Sequence, residues 1–348
     1  MHQKLRLQHI PGSPIAIFFT PSYAGNIPAS GWQNRTMENF LKDVQQGLNA
    51  SPKFLHSKYF YDKKGDELFQ QIMHNEDYYL TRCELEIFEQ QSGILAAFFK
   101  KKLGAFDVWE LGAGDATKSR FLLKALLDQQ VDFTYFPVDI SANIIELLQQ
   151  KLPAELPGLK LTGMQGEYLA MLDQSKIQST KPKLVLFLGS NIGNIPLNET
   201  GAFLSSIRNC LNVNDILMIG MDLKKNPHTI RRAYNDREGI TSRFNLNLLE
   251  RINRELSADF NTGNFQHYPS YDPISGTCKS FLVSLADQQV KIGAETFQFE
   301  KHECILTEVS QKYSVSQTKD FARLSGFEPI GHFYDSKSYF LEAVWECV

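Results

Sequence analysis

Residues 108–120 read VWELGAGDATKSR, and no other stretch constrains the fold as much. The apolar run 106–111 has strand character and carries a carboxylate, Glu110, near its end. Gly112 and Gly114 follow at once, and an amphipathic helical run extends from Lys118 to Leu127. Strand, glycine turn and helix, in that order, build a nucleotide-type site at the strand ends of an open α/β sheet. Glycine lets the backbone come close to a ligand there. An ordinary tight turn would carry the same residues, so the ligand site and the plain turn both stand at this point. The spacing is not the dinucleotide fingerprint G-x-G-x-x-G, because Thr117 takes the place of the third glycine. A short G-x-G after an acidic strand end suits S-adenosylmethionine (AdoMet) better than NAD.

The rest of the chain extends that unit into a sheet. Strands are expected at 106–111, 133–139, 159–163, 184–188 and 215–221, and helices at 118–129, 142–151, 170–174 and 200–211. Such alternation predicts a doubly wound parallel α/β sheet. The runs LVLFL and DILMIGM are almost wholly apolar, as strands covered on both faces are. Upstream, 1–33 reads as an irregular, proline-rich arm, and a helix is expected at 37–48, with Phe40, Leu41, Val44 and Leu48 at helical spacing. A turn at 63–65 and a helix at 66–73 follow. A helix at 81–98 opens on Thr81 and Glu84, which together fit a capping box.

After residue 223 the pattern changes. A long charged helical stretch, 228–256, is broken near Gly239, and a polar, glycine-rich segment occupies 261–276. Strand-like runs return at 279–285, 294–299 and 303–309. A helix at 316–325 and an antiparallel pair at 330–334 and 339–347 close the chain.

Composition narrows the setting. The net charge of −3 gives no bulk attraction to nucleic acid or to an anionic membrane. Five scattered cysteines without C-x-x-C spacing favour neither a zinc site nor a disulfide framework. Reduced thiols in a cytoplasm are the simplest reading. The only apolar run near the start, 15–19, is too short for a membrane span or a signal core.

Several positions carry chemistry. Asp139 ends the second strand, 27 residues after Gly112, where a carboxylate can accept from both ribose hydroxyls of a nucleoside; the alternative is a cap on the helix near Ser141. Glu167 and Tyr168 end the next strand and could take an adenine amine and ring, or lie in a solvated loop. In FLGSNIGNIP, Asn194 offers a donor and an acceptor to a substrate, or simply caps a turn. Glu308 and Ser310 alternate on one strand and so share a face. A buried carboxylate there needs a partner: a structural Lys or Arg, or a substrate bearing a cation or an N–H.

Together these residues resemble the histidine Nα-methyltransferase family of ergothioneine biosynthesis over residues 37–348. The resemblance rests on YFYDKKGDELFQQI, DYYLTR, ELGAGDATK, FPVDIS, FLGSNIGN, AYNDREGITSRFN, NRELSADF and TEVSQKY, in that order. It implies a Rossmann-like class I methyltransferase domain, 83–223 with 313–348, and a second α+β domain, 34–82 with 224–312, over the amino-acid pocket. It implies AdoMet contacts at Gly112, Lys118, Asp139, Glu167, Tyr168 and Gly189. Tyr78, Asn194 and Tyr234 match positions that hold the α-carboxylate and α-amine, and Glu308 and Ser310 the pair that grips the imidazole. Tyr61, Thr241 and Phe244 match further pocket positions. Where the family has aspartate and phenylalanine, this chain has Glu167 and Tyr168, and Ser280 falls where the family carries a methionine near the imidazole.

The implied reaction is trimethylation of free L-histidine to hercynine. It needs no obligatory acid or base and no metal, and is expected of a cytoplasmic monomer with a small-molecule partner. Another aromatic amino acid such as tryptophan, admitted past Ser280, is the nearest rival acceptor. A catalytically silent AdoMet-binding protein is a rival of a different class, and an NAD oxidoreductase is disfavoured by Thr117.

Overall fold

A computed structural model describes residues 29–348, with 29–37 as helical backbone only. Residues 1–28 of the expected arm lie outside the described residues. Helix α1 (Ala29–Asn49) therefore starts upstream of the expected 37, and it buries Phe40, Val44 and Leu48 as their spacing requires. Strand β1 (Lys53–Phe54) leads to α2 (Lys63–His74). The Asp62 carboxylate accepts from the Gly65 N–H at 2.7 Å, so the expected turn at 63–65 is instead the first turn of a capped helix. Helix α3 (Tyr79–Leu103) begins before Thr81 and has no side-chain cap. The expected capping box does not form, because Glu84 turns inward, where it is almost fully buried.

The α/β section follows: β2 (Asp107–Leu111), α4 (Ser119–Asp128), β3 (Tyr135–Asp139), α5 (Ala142–Glu155), β4 (Met164–Gln165), α6 (Tyr168–Gln178), β5 (Lys183–Phe187), α7 (Leu197–Asn209) and β6 (Ile216–Asp222). Every residue of β2, β5 and β6 is buried, as strands sandwiched between helices must be. The fourth strand differs from expectation. Residues 159–163 touch the sheet only at a Tyr135–Leu161 bridge, and the ladder forms one step later, at Met164 and Gln165.

Beyond β6, Gly239 (φ 68°) separates α8 (Pro227–Ala233) from α9 (Ile240–Leu256) where the break was expected. Next come β7 (Phe265–Asp272), β8 (Thr277–Ser284), β9 (Gln288–Ile292), β10 (Glu295–Phe299) and β11 (Cys304–Gln311). Strand β7 lies in the polar, glycine-rich segment 261–276, where no strand was expected: His267 is buried between exposed neighbours, an alternation that a count of polar residues hides. Strand β9 was not expected. Helix α10 (Val315–Leu324) carries a full Ser314–Gln317 capping box, and β12 (Phe327–Tyr334) and β13 (Phe340–Cys347) form the expected antiparallel pair.

Seven strands form one sheet in the order β12-β13-β6-β5-β2-β3-β4. Strands β2 to β6 run parallel, and β13 pairs antiparallel to β6. The order reverses between β2 and β5, so their C-terminal ends flank the crevice where such sheets bind ligands. A second sheet, β1-β11-β8-β7, packs with α1, α2 and α9 around Phe244, Leu248, Ile252 and Leu282. Helices α1 and α3 run unbroken across positions 33/34 and 82/83.

The two sheets are stitched together at one point. The Tyr313 N–H donates to the Asp222 carbonyl at 3.0 Å, and the Lys224 N–H donates to the Tyr313 carbonyl at 2.8 Å. The end of β6 thus meets the end of β11. Gly276 (φ 81°) closes the joint from the turn between β7 and β8, where a Cβ would fall 2.3 Å from the Lys312 carbonyl oxygen.

Candidate active site

The first half of the site lies at the switch point. Gly112 leaves β2 at φ 73° and Gly189 leaves β5 at φ 75°, a backbone region that disfavours side chains. A Cβ on Gly112 would come within 2.8 Å of the Tyr168 hydroxyl, so that ring reaches across the glycine turn. Asp139 ends β3 half-buried. It accepts from the Gly114 N–H at 3.2 Å and the Ser141 N–H at 2.9 Å, which pins both flanking loops. Capping of α5 falls to Ser141 itself. Each Asp139 oxygen keeps a free lone pair for a ligand. Glu167, exposed, precedes α6 without capping it.

Beneath the turn lies a group of carboxylates. Lys118 donates to Glu84 at 2.5 Å, and the other Glu84 oxygen accepts from the Gly189 N–H, also at 2.5 Å. Glu110 accepts from the Tyr135 hydroxyl at 2.5 Å. Burial pushes the Glu110 carboxyl up to about 7, although the Ser119 and Tyr135 hydroxyls pull the other way. Burial, and then the Glu84 charge, hold the Glu342 carboxyl well above the usual range. Burial opposes the Lys118 charge, but Glu84 outweighs it and raises the ammonium's pKa.

The second half lies across the joint. Tyr78, just ahead of α3, meets the Tyr234 ring edge-on at 6.3 Å between centroids. Glu308 and Ser310 share a face of β11 as their alternation requires. Ser280 pairs opposite Glu308 on β8, with its hydroxyl 3.5 Å from the carboxylate. Tyr61, 45% exposed, and Phe69 pack against Phe244. Thr241 is buried on α9, its hydroxyl unpartnered among the described residues. Asn194 ends a 3-10 turn, Asn191–Asn194, and is exposed. That turn presses on β11 closely enough that a Cβ on Gly193 would fall 2.9 Å from the Gln311 carbonyl oxygen.

Burial pushes the Glu308 carboxyl up to about 7, against the Lys312 charge and the Ser280 hydroxyl, which lower it. Burial foremost, with the Glu308 charge adding, holds the Tyr78 and Tyr234 hydroxyls well above their ordinary value. Both remain protonated donors across any working pH.

A charged network under this half was not singled out in the sequence. The Lys312 ammonium, with no exposed surface, lies 2.8 Å from Asp222, 2.7 Å from the Tyr234 hydroxyl and 2.8 Å from the Ser310 hydroxyl. Asp222 also pairs with Lys225 and accepts from the Tyr79 hydroxyl at 2.7 Å. A signal was present: 308, 310 and 312 share one period-two face, and Asp222 is the lone carboxylate of the apolar run 216–222.

A doubly wound sheet with positive-φ glycines at its switch point, a carboxylate ending β3 and an antiparallel terminal pair defines an AdoMet-dependent methyltransferase of class I type. The glycine turn, the free lone pairs of Asp139 and the nearby Lys118 fit that donor. The chain belongs, further, to the histidine-specific, SAM-dependent methyltransferase family, whose model matches residues 40–347. It is 37% identical to the histidine N-alpha-methyltransferase of Mycolicibacterium smegmatis, over 79% of this chain and 85% of that protein. Its identity to the Mycobacterium tuberculosis protein of the same name is 35%, over 78% and 84%. Ergothioneine biosynthesis protein 1 of Neurospora crassa is 30% identical over 83% of this chain, which spans 32% of that longer protein.

Proposed function

We propose that the protein transfers methyl groups from AdoMet to the α-amine of free L-histidine, successively, to give the trimethylated betaine hercynine. The observation that carries the acceptor's identity is Glu308. It is a carboxylate drawn into the protein beside Ser310, with only the Ser280 hydroxyl, at 3.5 Å, as a hydrogen-bond partner among the described residues. A half-buried acceptor left so nearly unpartnered penalises any ligand that lacks an N–H to give it. An imidazole supplies one.

In this reading Gly112, Gly189 and Lys118 cradle the donor's amino-acid end, Asp139 takes the ribose hydroxyls, and Glu167 and Tyr168 take the adenine. Bound AdoMet supplies a methyl group already carried on a cationic sulfonium, so this chain's residues have little proton chemistry to perform. Tyr78, Asn194 and Tyr234 orient the α-carboxylate and α-amine and hold the amine lone pair in line with the methyl. Positioning of this kind is worth on the order of 7 kcal/mol or more of a barrier. The proton released with each methyl leaves to water. Tyr61, Thr241 and Phe244 wall the side-chain end, and Ser280 completes it beside Glu308. The layer built from 34–82 and 224–312 covers the acceptor.

Mass spectrometry of histidine incubated with AdoMet and the protein tests this. Products heavier by one, two and three methyl groups are expected, and no gain in mass would sink the reading. A screen of the twenty amino acids should show histidine ahead of tryptophan, which offers an N–H to Glu308 but no ring acceptor to Ser310.

A further inference from the structure

Resting on the acceptor reading above, we propose that Lys312 is a positioning residue. It denies the Tyr234–Ser310 hydroxyl pair any acceptor inside the network and so makes the enzyme require a ring nitrogen that accepts a hydrogen bond. The argument is a count of hydrogens. An ammonium has three and accepts none. Those of Lys312 are all committed, to Asp222 at 2.8 Å, the Tyr234 oxygen at 2.7 Å and the Ser310 oxygen at 2.8 Å. Asp222 keeps the lysine charged, and it sits between Lys312 and Lys225 with the Tyr79 hydroxyl as a further donor.

The Tyr234 and Ser310 oxygens are themselves 2.7 Å apart, so one must donate to the other. Neither can donate to the lysine. The pair therefore has one hydrogen left, and it must find an acceptor outside the network. A phenol is a better donor and a poorer acceptor than an aliphatic alcohol, so the chain runs from Tyr234 to Ser310. The free hydrogen is then that of Ser310, two residues from Glu308 on the same face of β11. A neutral imidazole matches the pair: its N–H donates to Glu308, and its other nitrogen accepts from Ser310. The remaining Tyr234 lone pair can accept from the amine N–H. Burial makes each mismatch expensive, since Ser310, Tyr234 and Lys312 are all buried. With Lys312 gone, the Asp222 carboxylate loses that donor and becomes an acceptor for Tyr234, Ser310 can donate to Tyr234 in turn, and the donor requirement lapses.

The test compares histidine with the two pyrrolylalanines, which keep one ring N–H and put C–H where the accepting nitrogen was. For the wild-type protein, kcat/KM should favour histidine over the better pyrrolylalanine by about 30-fold, the scale of one buried hydrogen bond. In Lys312→Met the preference should fall to about 3-fold or less, with the Kd for AdoMet unchanged. A variant equally slow on both substrates, with the preference intact, overturns the proposal and makes the lysine structural. So does a wild-type protein that does not discriminate. If Lys312→Met binds no AdoMet, Lys312→Gln takes its place. Its carboxamide can accept as well as donate, so the preference should still fall, and full retention, or a second loss of AdoMet binding, overturns the proposal. A wild-type protein that binds AdoMet but methylates neither substrate fails the acceptor reading itself, a result distinct from the others.

Discussion

Two buried charge clusters flank the cleft, and they are built on opposite plans. Behind the donor end, Glu84, Glu110 and Glu342 share one ammonium, Lys118. Glu84 and Glu342 converge on Gly220, where a Cβ would fall 2.8 Å from one carboxylate and 3.1 Å from the other. Neither Glu342 oxygen has a hydrogen-bond partner among the described residues. Three carboxylates cannot all stay ionised around one cation in so dry a place, and protons are held there instead. Beneath the acceptor end, Asp222 sits between two ammonium groups, Lys225 and Lys312. Burial alone would raise its carboxyl, but they hold it below the usual range. With Glu308 ionised, this second cluster is balanced. The difference follows the ligands: AdoMet brings two positive charges, on its sulfonium and ammonium, against one carboxylate that a single cation such as Lys118 can meet, whereas the acceptor brings a carboxylate and a neutral ring.

The widest break between the two ends should come from Glu308→Ala. Loss of this acceptor should lower kcat/KM for histidine about 100-fold and leave AdoMet binding within a few-fold. Calorimetry for AdoMet beside steady-state rates for histidine reads both, and equal losses would make Glu308 a structural residue. Lys118→Met should do the reverse. With its one cation gone the donor cluster should bind AdoMet about 30-fold more weakly, the scale of a charged hydrogen bond, while the KM for histidine stays nearly fixed. A smaller effect appears in pH. Glu308 must be ionised to accept the ring N–H, so kcat/KM for histidine should climb about 10-fold as pH rises through about 7. The histidine ring titrates nearby, so Glu308→Gln is the control. Its limb should flatten to that of the substrate alone, and an unchanged limb would remove Glu308 from the profile.

The sheet and the donor half were largely legible in the sequence, because they are local. A strand, a glycine turn and a helix announce themselves by periodicity over a dozen residues, and Asp139 stands out at the end of an apolar run. Of the acceptor half, Asn194, Glu308 and Ser310 stood out from the residues themselves, whereas Tyr78 and Tyr234 were legible only through the family resemblance. Tyr78, Tyr234 and Ser310 come from separate elements and meet only when β6 and β11 join at Tyr313. Glu84 shows the limit of local reading most plainly. Three residues after Thr81 it fits a helix cap, yet α3 starts earlier and sends that side chain to Lys118 and Gly189. A local motif lost to a charge partner distant in sequence. Residues 159–163 failed for a related reason: Leu159 and Leu161 pack toward the core at alternate positions, while the hydrogen-bond ladder belongs to the next two residues.

The finest test of the two plans is stability against pH, where the clusters should differ in sign. In the folded protein Glu342 holds a proton that the unfolded chain releases above about pH 4.5. Unfolding then gives up a proton, so this group costs stability as pH rises from there toward its folded pKa. Glu342→Gln removes the titration at nearly constant shape. Its Tm should exceed that of the wild-type protein by about 3 °C at pH 8, and the gap should close toward pH 5. Asp222 runs the other way. Its carboxyl is depressed in the folded state, so its contribution is fully present above the unfolded pKa and is lost as pH falls through the folded one. Asp222→Asn should therefore lower Tm most at pH 8 and least in acid. Scanning calorimetry of both variants across that range reads the two signs directly. A Glu342→Gln gap that does not change with pH would mean that the donor cluster holds no proton there, and the contrast between the two ends would fail.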